Sequence, residues 1–348
     1  MAIYIVAAIL LLLSIISVAT HMGPAVVFVI SCAALIPLAG ILGKATEEVA
    51  KRQGPAIGGL LNATFGNATE LILALMALQQ GGVLVDMVKA SITGSIIGNL
   101  LLVLGAAIFL GGLRYKTLPL HPASAGMGSS MMLIAVIGLV VPAVFHAGKP
   151  DAHPTLLVNM SLLVAGVLMV IYLLGLVFSL GTHRHVFTVE DEPEVPDWPM
   201  SRAIVVLLIA TGLVVLESEI VIHAVEKLVE TFHLSVVFLG AVVIAVVGNA
   251  AEHAVAIVVA RKGKMDLAFQ IASGSSAQVA LFVAPFLVFA GWFMGKPMDL
   301  LFTPFEVASV VVSVLIVQSI TSDGETNWFE GVLLLGVYAI LAVAFYYL

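Results

Sequence analysis

Runs of about twenty mostly apolar residues, the length a helix needs to cross a bilayer, recur along the whole chain rather than once at its amino terminus. In hydrocarbon every backbone N–H and C=O must be satisfied within the protein, and runs of this length meet that demand as α-helices. Of 348 residues 61% are hydrophobic and 10% charged, against the roughly 25% charged of soluble domains, so lipid is the main solvent. The first run, Met1 to Thr20, has no basic residue ahead of it and no clear small-residue cleavage site, which predicts a retained span rather than a secretory signal. Cys32 is the single cysteine, so no intrachain disulfide forms, and its apolar setting reads as helix packing. The net charge of −7 says little about partners, and no basic patch with interleaved aromatics points to nucleic acid.

Gly, Pro and charge punctuation divides the chain into eleven candidate spans. They run from Ile3 to Thr20, Pro24 to Leu42, Ala56 to Leu78, Met87 to Leu113, Ala123 to Val141 and Thr155 to Leu180, then from Met200 to Val229, Ser235 to Ala260, Asp266 to Met294, Pro304 to Ser319 and Asn327 to Leu348. With this count Lys44, Lys51, Arg52, Arg114, Lys116, Arg184, Arg202, Arg261, Lys262 and Lys264 share one side, leaving Lys89, Lys149, Lys227 and Lys296 on or near the other. Ten against four places the amino terminus in the cytoplasm and, after eleven crossings, the carboxyl terminus outside. A compact chain without further targeting segments suits a prokaryotic inner membrane.

The longest polar stretch, His183 to Ser201, holds Glu190, Asp191, Glu192, Glu194 and Asp197 among three prolines, a composition that favours a solvated cytoplasmic linker. Clustered carboxylates also suit a hard cation, so the same stretch is a candidate calcium-sensing segment.

The linker separates two copies of one pattern. Gly66-Asn67-Ala68-Thr69-Glu70 returns as Gly248-Asn249-Ala250-Ala251-Glu252. Upstream, Ala45 to Val49 parallels Ala224 to Leu228. Downstream, Gly94-Ser95 followed by Asn99 parallels Gly274-Ser275 followed by Gln278. The matching spans are the third and the eighth, and an odd offset makes the second copy cross the membrane in the opposite direction. Inverted repeats whose spans are interrupted by Gly or polar residues point to a secondary transporter with its site at the repeat interface. Gly66 and Gly248 weaken their helices, Asn62 and Thr64 add polarity, and freed carbonyls at such breaks can ligate a cation.

Asn67 and Glu70 share a helix face, as do Asn249 and Glu252, so each copy aims an amide and a carboxylate the same way. A carboxylate at the bilayer centre costs at least about 2.5 kcal/mol, so two at matched positions call for a compensating cation or proton. Calcium takes six to eight oxygen ligands, and no Cys or His cluster suits zinc. Glu70 and Glu252 supply charge, and Asn67, Asn249, Asn99 and Gln278 neutral oxygens. Ser95 and Ser275 come next, and the backbone at Gly66 and Gly248 completes the candidate metal-binding set. For Asn99, Gln278 and the serines, ordinary interhelical hydrogen bonding is the competing reading. Low dielectric disfavours an ionised carboxylate while a divalent cation favours it, so cation and proton compete at Glu70 and Glu252. Either loaded state is neutral, whereas the empty doubly charged site is penalised, which is the logic of exchange rather than leak. His253 is a candidate second proton acceptor or hydrogen-bond partner. Glu217, Glu219 and Glu306 line an access path or lie at interfaces.

These residues resemble those of the calcium/proton exchanger family within the cation/calcium exchanger superfamily. The likeness covers nearly the whole chain: Gly58 to Glu70 (GGLLNATFGNATE), Gly94 to Val103 (GSIIGNLLLV), Gly248 to His253 (GNAAEH), Ser273 to Gln278 (SGSSAQ) and Ser322 to Gly331 (SDGETNWFEG). It implies an all-α membrane protein of eleven helices, with an extra first helix at 1–22, five-helix inverted repeats at 23–182 and 201–348, and the acidic linker at 183–200. It also implies Glu70 and Glu252 as central ligands beside Asn67 and Asn249, flanked by Gln278 and Asn99, with the acidic linker as a candidate match to a segment seen between the family's halves. The ions carried would be Ca2+ and H+, with no cofactor and no enzymatic reaction, in a chain compatible with a homo-oligomer. Rival readings are a manganese or broad divalent-cation/proton exchanger and a sodium-coupled calcium exchanger. Sodium-coupled members carry Pro-Glu or Pro-Asp at the core, where this chain has Ala-Thr-Glu and Ala-Ala-Glu.

Overall fold

A computed structural model of the chain describes residues 2–53, 58, 61, 65–151, 153–183 and 195–348, with backbone alone at 122–125. In chain order the helices are α1 (Ala2–Ala19), α2 (Pro24–Ala50), α3 (Ala68–Gln80), α4 (Val83–Gly112), α5 (Pro122–Gly148) and α6 (Pro154–Thr182). There follow α7 (Met200–Phe232), α8 (Val236–Gly248), α9 (Ala250–Ala260), α10 (Met265–Phe293), α11 (Pro304–Thr321) and α12 (Trp328–Tyr346). Strands β1 (Leu118–Pro119) and β2 (Glu325–Thr326) pair antiparallel, Leu118 opposite Thr326. This ladder lies in segments that the sequence assigned to loops. The chain is thus an all-helical, multi-pass membrane protein.

Among the described residues nine helices are long and apolar enough to cross a membrane, and ten if α8 and α9 form one span bent by 60°. The bend falls at Asn249, inside the second GNxxE motif, where the sequence placed a weakened helix within one span. The expected span from Ala56 to Leu78 is described chiefly by α3, because residues 54–57, 59–60 and 62–64, Asn62 and Thr64 included, lie outside the described residues.

Three expectations need correction, the first being the end of α5, which runs to Gly148 rather than Val141. Helix α2 runs to Ala50, two turns past the expected Leu42, carrying Lys44, Glu47 and Glu48 beyond the apolar run in unbroken helix. Residues 195–200 of the linker are also not uniformly solvated. Trp198 is 8% exposed and packs with Ala45, Val49 and Ala203. Its backbone N–H donates to Glu48 Oε2 at 2.9 Å, its carbonyl accepts from Arg52, and the Arg202 guanidinium stacks 4.8 Å from its ring. One anchoring aromatic outweighs the acidic, proline-rich composition around it.

The chain divides into two compact units. The first comprises Met1–Gln80, Leu174–Leu234 and Val247–Ala251, so it holds α1, α2, α3 and α7, with α7 packed along α2. The second comprises Gly81–Leu173, Ser235–Val246 and Glu252–Leu348. Its centre is α4, the most buried of the spans, which packs against the first part of α8 and against α10, α11 and α12.

Apolar burial gives helices little drive to associate in lipid, so close backbone approach through small residues matters more. Helices α4 and α8 cross in this way. A Cβ built on Gly94 would overlap the backbone of Ala241, and one on Gly240 would lie 2.5 Å from the Met87 carbonyl oxygen. Gly94→Val should therefore force the helices apart and cost about 1–3 kcal/mol or more, read as a lower midpoint of thermal unfolding in detergent than for wild type.

Candidate ion site

Both GNxxE motifs open a helix. Gly66 and Asn67 form a turn, Asn67 accepts the Leu71 N–H on its carbonyl at 2.9 Å, and α3 begins at Ala68 with Glu70 in its first turn. In the second copy Asn249 forms the turn and α9 begins at Ala250, again with Glu252 in its first turn. The first turn of a helix carries N–H groups without intrahelical partners and the positive end of the helix dipole, a setting that favours a carboxylate. Each glutamate is placed where its charge is least costly.

In the first unit Asn67 and Glu70 are each 3% exposed and Asn249 is fully buried. Gly248 ends α8 against Glu70: a Cβ built on it would sit 3.5 Å from the Glu70 Cβ. The backbone of one motif thus rests on the acid of the other, a juxtaposition that the pentapeptide match alone could not show.

The second unit holds Glu252, partly buried, and the remaining candidates. Asn99 lies in a π-helical stretch of α4, Gly98–Val103, and Gln278 immediately precedes the π-helical stretch Val279–Val283 of α10. Such wide turns concentrate at functional sites, and here they fall at corresponding places in the two copies. Asn99 Nδ2 donates to Ser275 Oγ at 3.1 Å. Asn99 Oδ1 lies 3.1 Å from His253 Nε2, which donates to it in the tautomer protonated at that nitrogen. Ser95 and Ser275 are buried. The structure thus joins His253, Asn99 and Ser275 in one hydrogen-bonded chain that spacing did not reveal, although all three stood in the matched segments.

Other acids find different places. Glu306 closes a capping box at the start of α11, its carboxylate accepting from Thr303 N at 2.9 Å, Thr303 Oγ at 2.8 Å and Thr93 Oγ at 3.1 Å. It is a helix cap rather than part of an access path. Glu217 is buried in the first unit, while Glu219 is exposed and lines a cavity there. Asp197 pairs with Lys44 at 3.3 Å, both largely exposed. Glu190, Asp191, Glu192 and Glu194 lie outside the described residues.

A family model described as sodium/calcium exchanger protein matches residues 23–181 and 202–347. A Ca2+/H+ antiporter of Synechocystis is 48% identical over 346 residues, covering 93% of this chain and 92% of that protein. This chain belongs to the calcium/proton exchanger family. The Ca2+/H+ antiporter ChaA of Bacillus subtilis is 43% identical, covering 97% of this chain and 96% of its own length. The solved structure of native YfkE superposes over the whole of both chains with a TM-score of 0.86 at 39% identity. A crystal structure of the H+/Ca2+ exchanger CAX, at 15% identity and a TM-score of 0.74, shares the fold over 99% of this chain and 91% of that one. For this family member the Gly248 contact makes a graded test. Gly248→Ala adds only ordinary van der Waals contact and should keep ion exchange, whereas Gly248→Leu should push Glu70 aside. The expected loss of pH-driven uptake in vesicles is about tenfold or more, the equivalent of about 1.4 kcal/mol.

Proposed function

We propose that the chain is a secondary transporter that exchanges cytosolic Ca2+ for protons by alternating access. Glu70 and Glu252 bind either one Ca2+ or protons near the membrane midplane. The observation that carries this reading is a feature the two motifs share, each opening a helix with a glutamate in its first turn. The close likeness to Ca2+/H+ antiporters supports the ions carried.

Two ionised glutamates and one Ca2+ sum to zero charge, as do two protonated glutamates, so each loaded form is tolerable in low dielectric and the bare dianion is not. Asn67 and Asn249 supply neutral oxygens beside the acids, with Gln278, Ser95 and Ser275 farther out. Asn99 Oδ1 faces His253 Nε2 at 3.1 Å and keeps a second lone pair with which it could ligate. His253 therefore positions Asn99 first, and its part in proton movement follows from that contact.

The family model's two matched stretches, 23–181 and 202–347, support two five-helix inverted repeats joined by the linker, with the helix at 1–22 outside them and eleven spans in all. The corresponding π-helical stretches in α4 and α10 support the same layout. Under this layout the amino terminus is cytoplasmic and the carboxyl terminus outside, in a prokaryotic inner membrane. The acidic stretch from Glu190 to Asp197 is retained as a regulatory calcium segment, with Asp197 already neutralised by Lys44.

Calcium uptake into everted vesicles tests the proposal. Wild type should take up Ca2+ without sodium when an acid-inside pH gradient is imposed, and Glu70→Gln and Glu252→Gln should each abolish that uptake. Full pH-driven uptake by either variant would sink the paired-glutamate site. Uptake that requires sodium would instead indicate sodium coupling.

A further inference from the structure

Three buried carboxylates of the described residues lie outside the GNxxE motifs, and their surroundings differ. Glu48 accepts the Trp198 N–H at 2.9 Å and lies 3.8 Å from the Lys51 ammonium. Glu306 receives three donors. Glu217, on α7 and 0% exposed, has one partner: Ser14 Oγ of α1, 2.8 Å from its Oε2. Among the described residues its buried Oε1 meets no hydrogen-bond donor, and the neighbouring Ser218 Oγ has no partner.

A buried carboxylate holding a full charge needs a cation or several donors, and Glu217 has neither. The neutral acid fits the hydroxyls around it. Protonated at Oε2, Glu217 donates to Ser14 Oγ. Ser14 can then turn its hydrogen to Ser31 Oγ, 3.4 Å away, while Ser31 donates to the Val27 carbonyl at 2.5 Å. Every hydroxyl hydrogen in that chain then has an acceptor.

A cavity lies close to this place. Of about 510 Å3 and in the first unit, it is lined by His21, Glu219, His223 and Lys227. Ser17, which also lines it, donates to the Ser14 carbonyl at 2.7 Å. The cavity therefore ends one turn of α1 from the Glu217 partner. Around Glu217, α2 contributes Cys32, which interacts with it electrostatically, and carries Lys44, Glu47 and Glu48 more than three turns beyond. The only titratable residue of α1 is Tyr4 near its start, α3 carries Glu70, and α7 itself carries Glu219, His223, Glu226, Lys227 and Glu230.

We propose that Glu217 is a second intramembrane proton-binding site, held neutral between α1, α2 and α7 and loaded through the cavity at the end of α1. It goes beyond the paired-glutamate site and does not depend on it. Infrared spectroscopy of the full-length protein in lipid tests it, in a Glu70→Gln, Glu252→Gln background so that the paired site cannot contribute. At neutral pH that parent should show a protonated-carboxyl C=O band that Glu217→Gln removes and that alkaline titration bleaches. Ser14→Ala, which keeps the acid, should shift the band to higher frequency as the O–H loses its acceptor, and it carries the test should Glu217→Gln fail to fold. A spectrum unchanged in both variants, or no such band in the parent at neutral pH, overturns the proposal whatever the uptake experiment shows.

Discussion

A helix that stops inside hydrocarbon leaves N–H and C=O groups with no water to meet them, and each unmet group costs several kcal/mol. This chain stops a helix at Asn249, with a 60° bend between α8 and α9, and opens another at Ala68 after the turn of Gly66 and Asn67. Both interruptions carry their own remedy in the motif. A glycine leaves room beside the acid of the other motif, as Gly248 does next to Glu70. An asparagine stands at the turn, and a glutamate in the first turn faces the positive end of the new helix. The buried state of Asn67, Glu70 and Asn249 follows from this need. Polar atoms gathered to repair a broken helix are the same atoms that a hard cation requires.

What a glutamate does here is decided by the partners that packing supplies. Glu48 accepts the Trp198 N–H and lies 3.8 Å from the Lys51 ammonium, and so ties residue 198 of the linker to α2. Glu306 spends its oxygens on capping α11. Glu70 and Glu252 stand at helix openings, and Glu217 sits among hydroxyls with no cation beside it. One side-chain chemistry serves as anchor in one place and cap in another, and the proposed ion ligands and proton holder differ from these in the neighbours that packing gives them.

Hydropathy located nine spans, or ten with the bent pair, among the described residues because the demand for apolar length is local. It misplaced the end of α2 because the apolar run stops before Lys44, while the helix continues through Glu47 and Glu48 to Ala50. The linker was read as solvated because composition averages over residues, and a single Trp198 that finds Ala45 and Val49 is lost in that average. His253, Asn99 and Ser275 were each singled out by their place in the repeat, but their hydrogen-bonded chain joins residues up to 176 positions apart and no spacing rule reaches so far.

The sequence by itself determined that this protein lives in lipid and that its chemistry is repeated, because both follow from short-range patterns: apolar runs and two matched pentapeptides, GNATE and GNAAE. The residue types in those motifs also underlie the proposal of an oxygen-ligand site. Only the tertiary structure decided which acids are caps or anchors and that Gly248 rests on Glu70. It alone decided that the amide of Asn99 is held from both sides and that Glu217 has a hydroxyl for its single partner. Those outcomes depend on which side chains meet across helices distant in sequence, and in a low-dielectric interior that meeting fixes whether a polar group is charged, neutral or free to bind an ion.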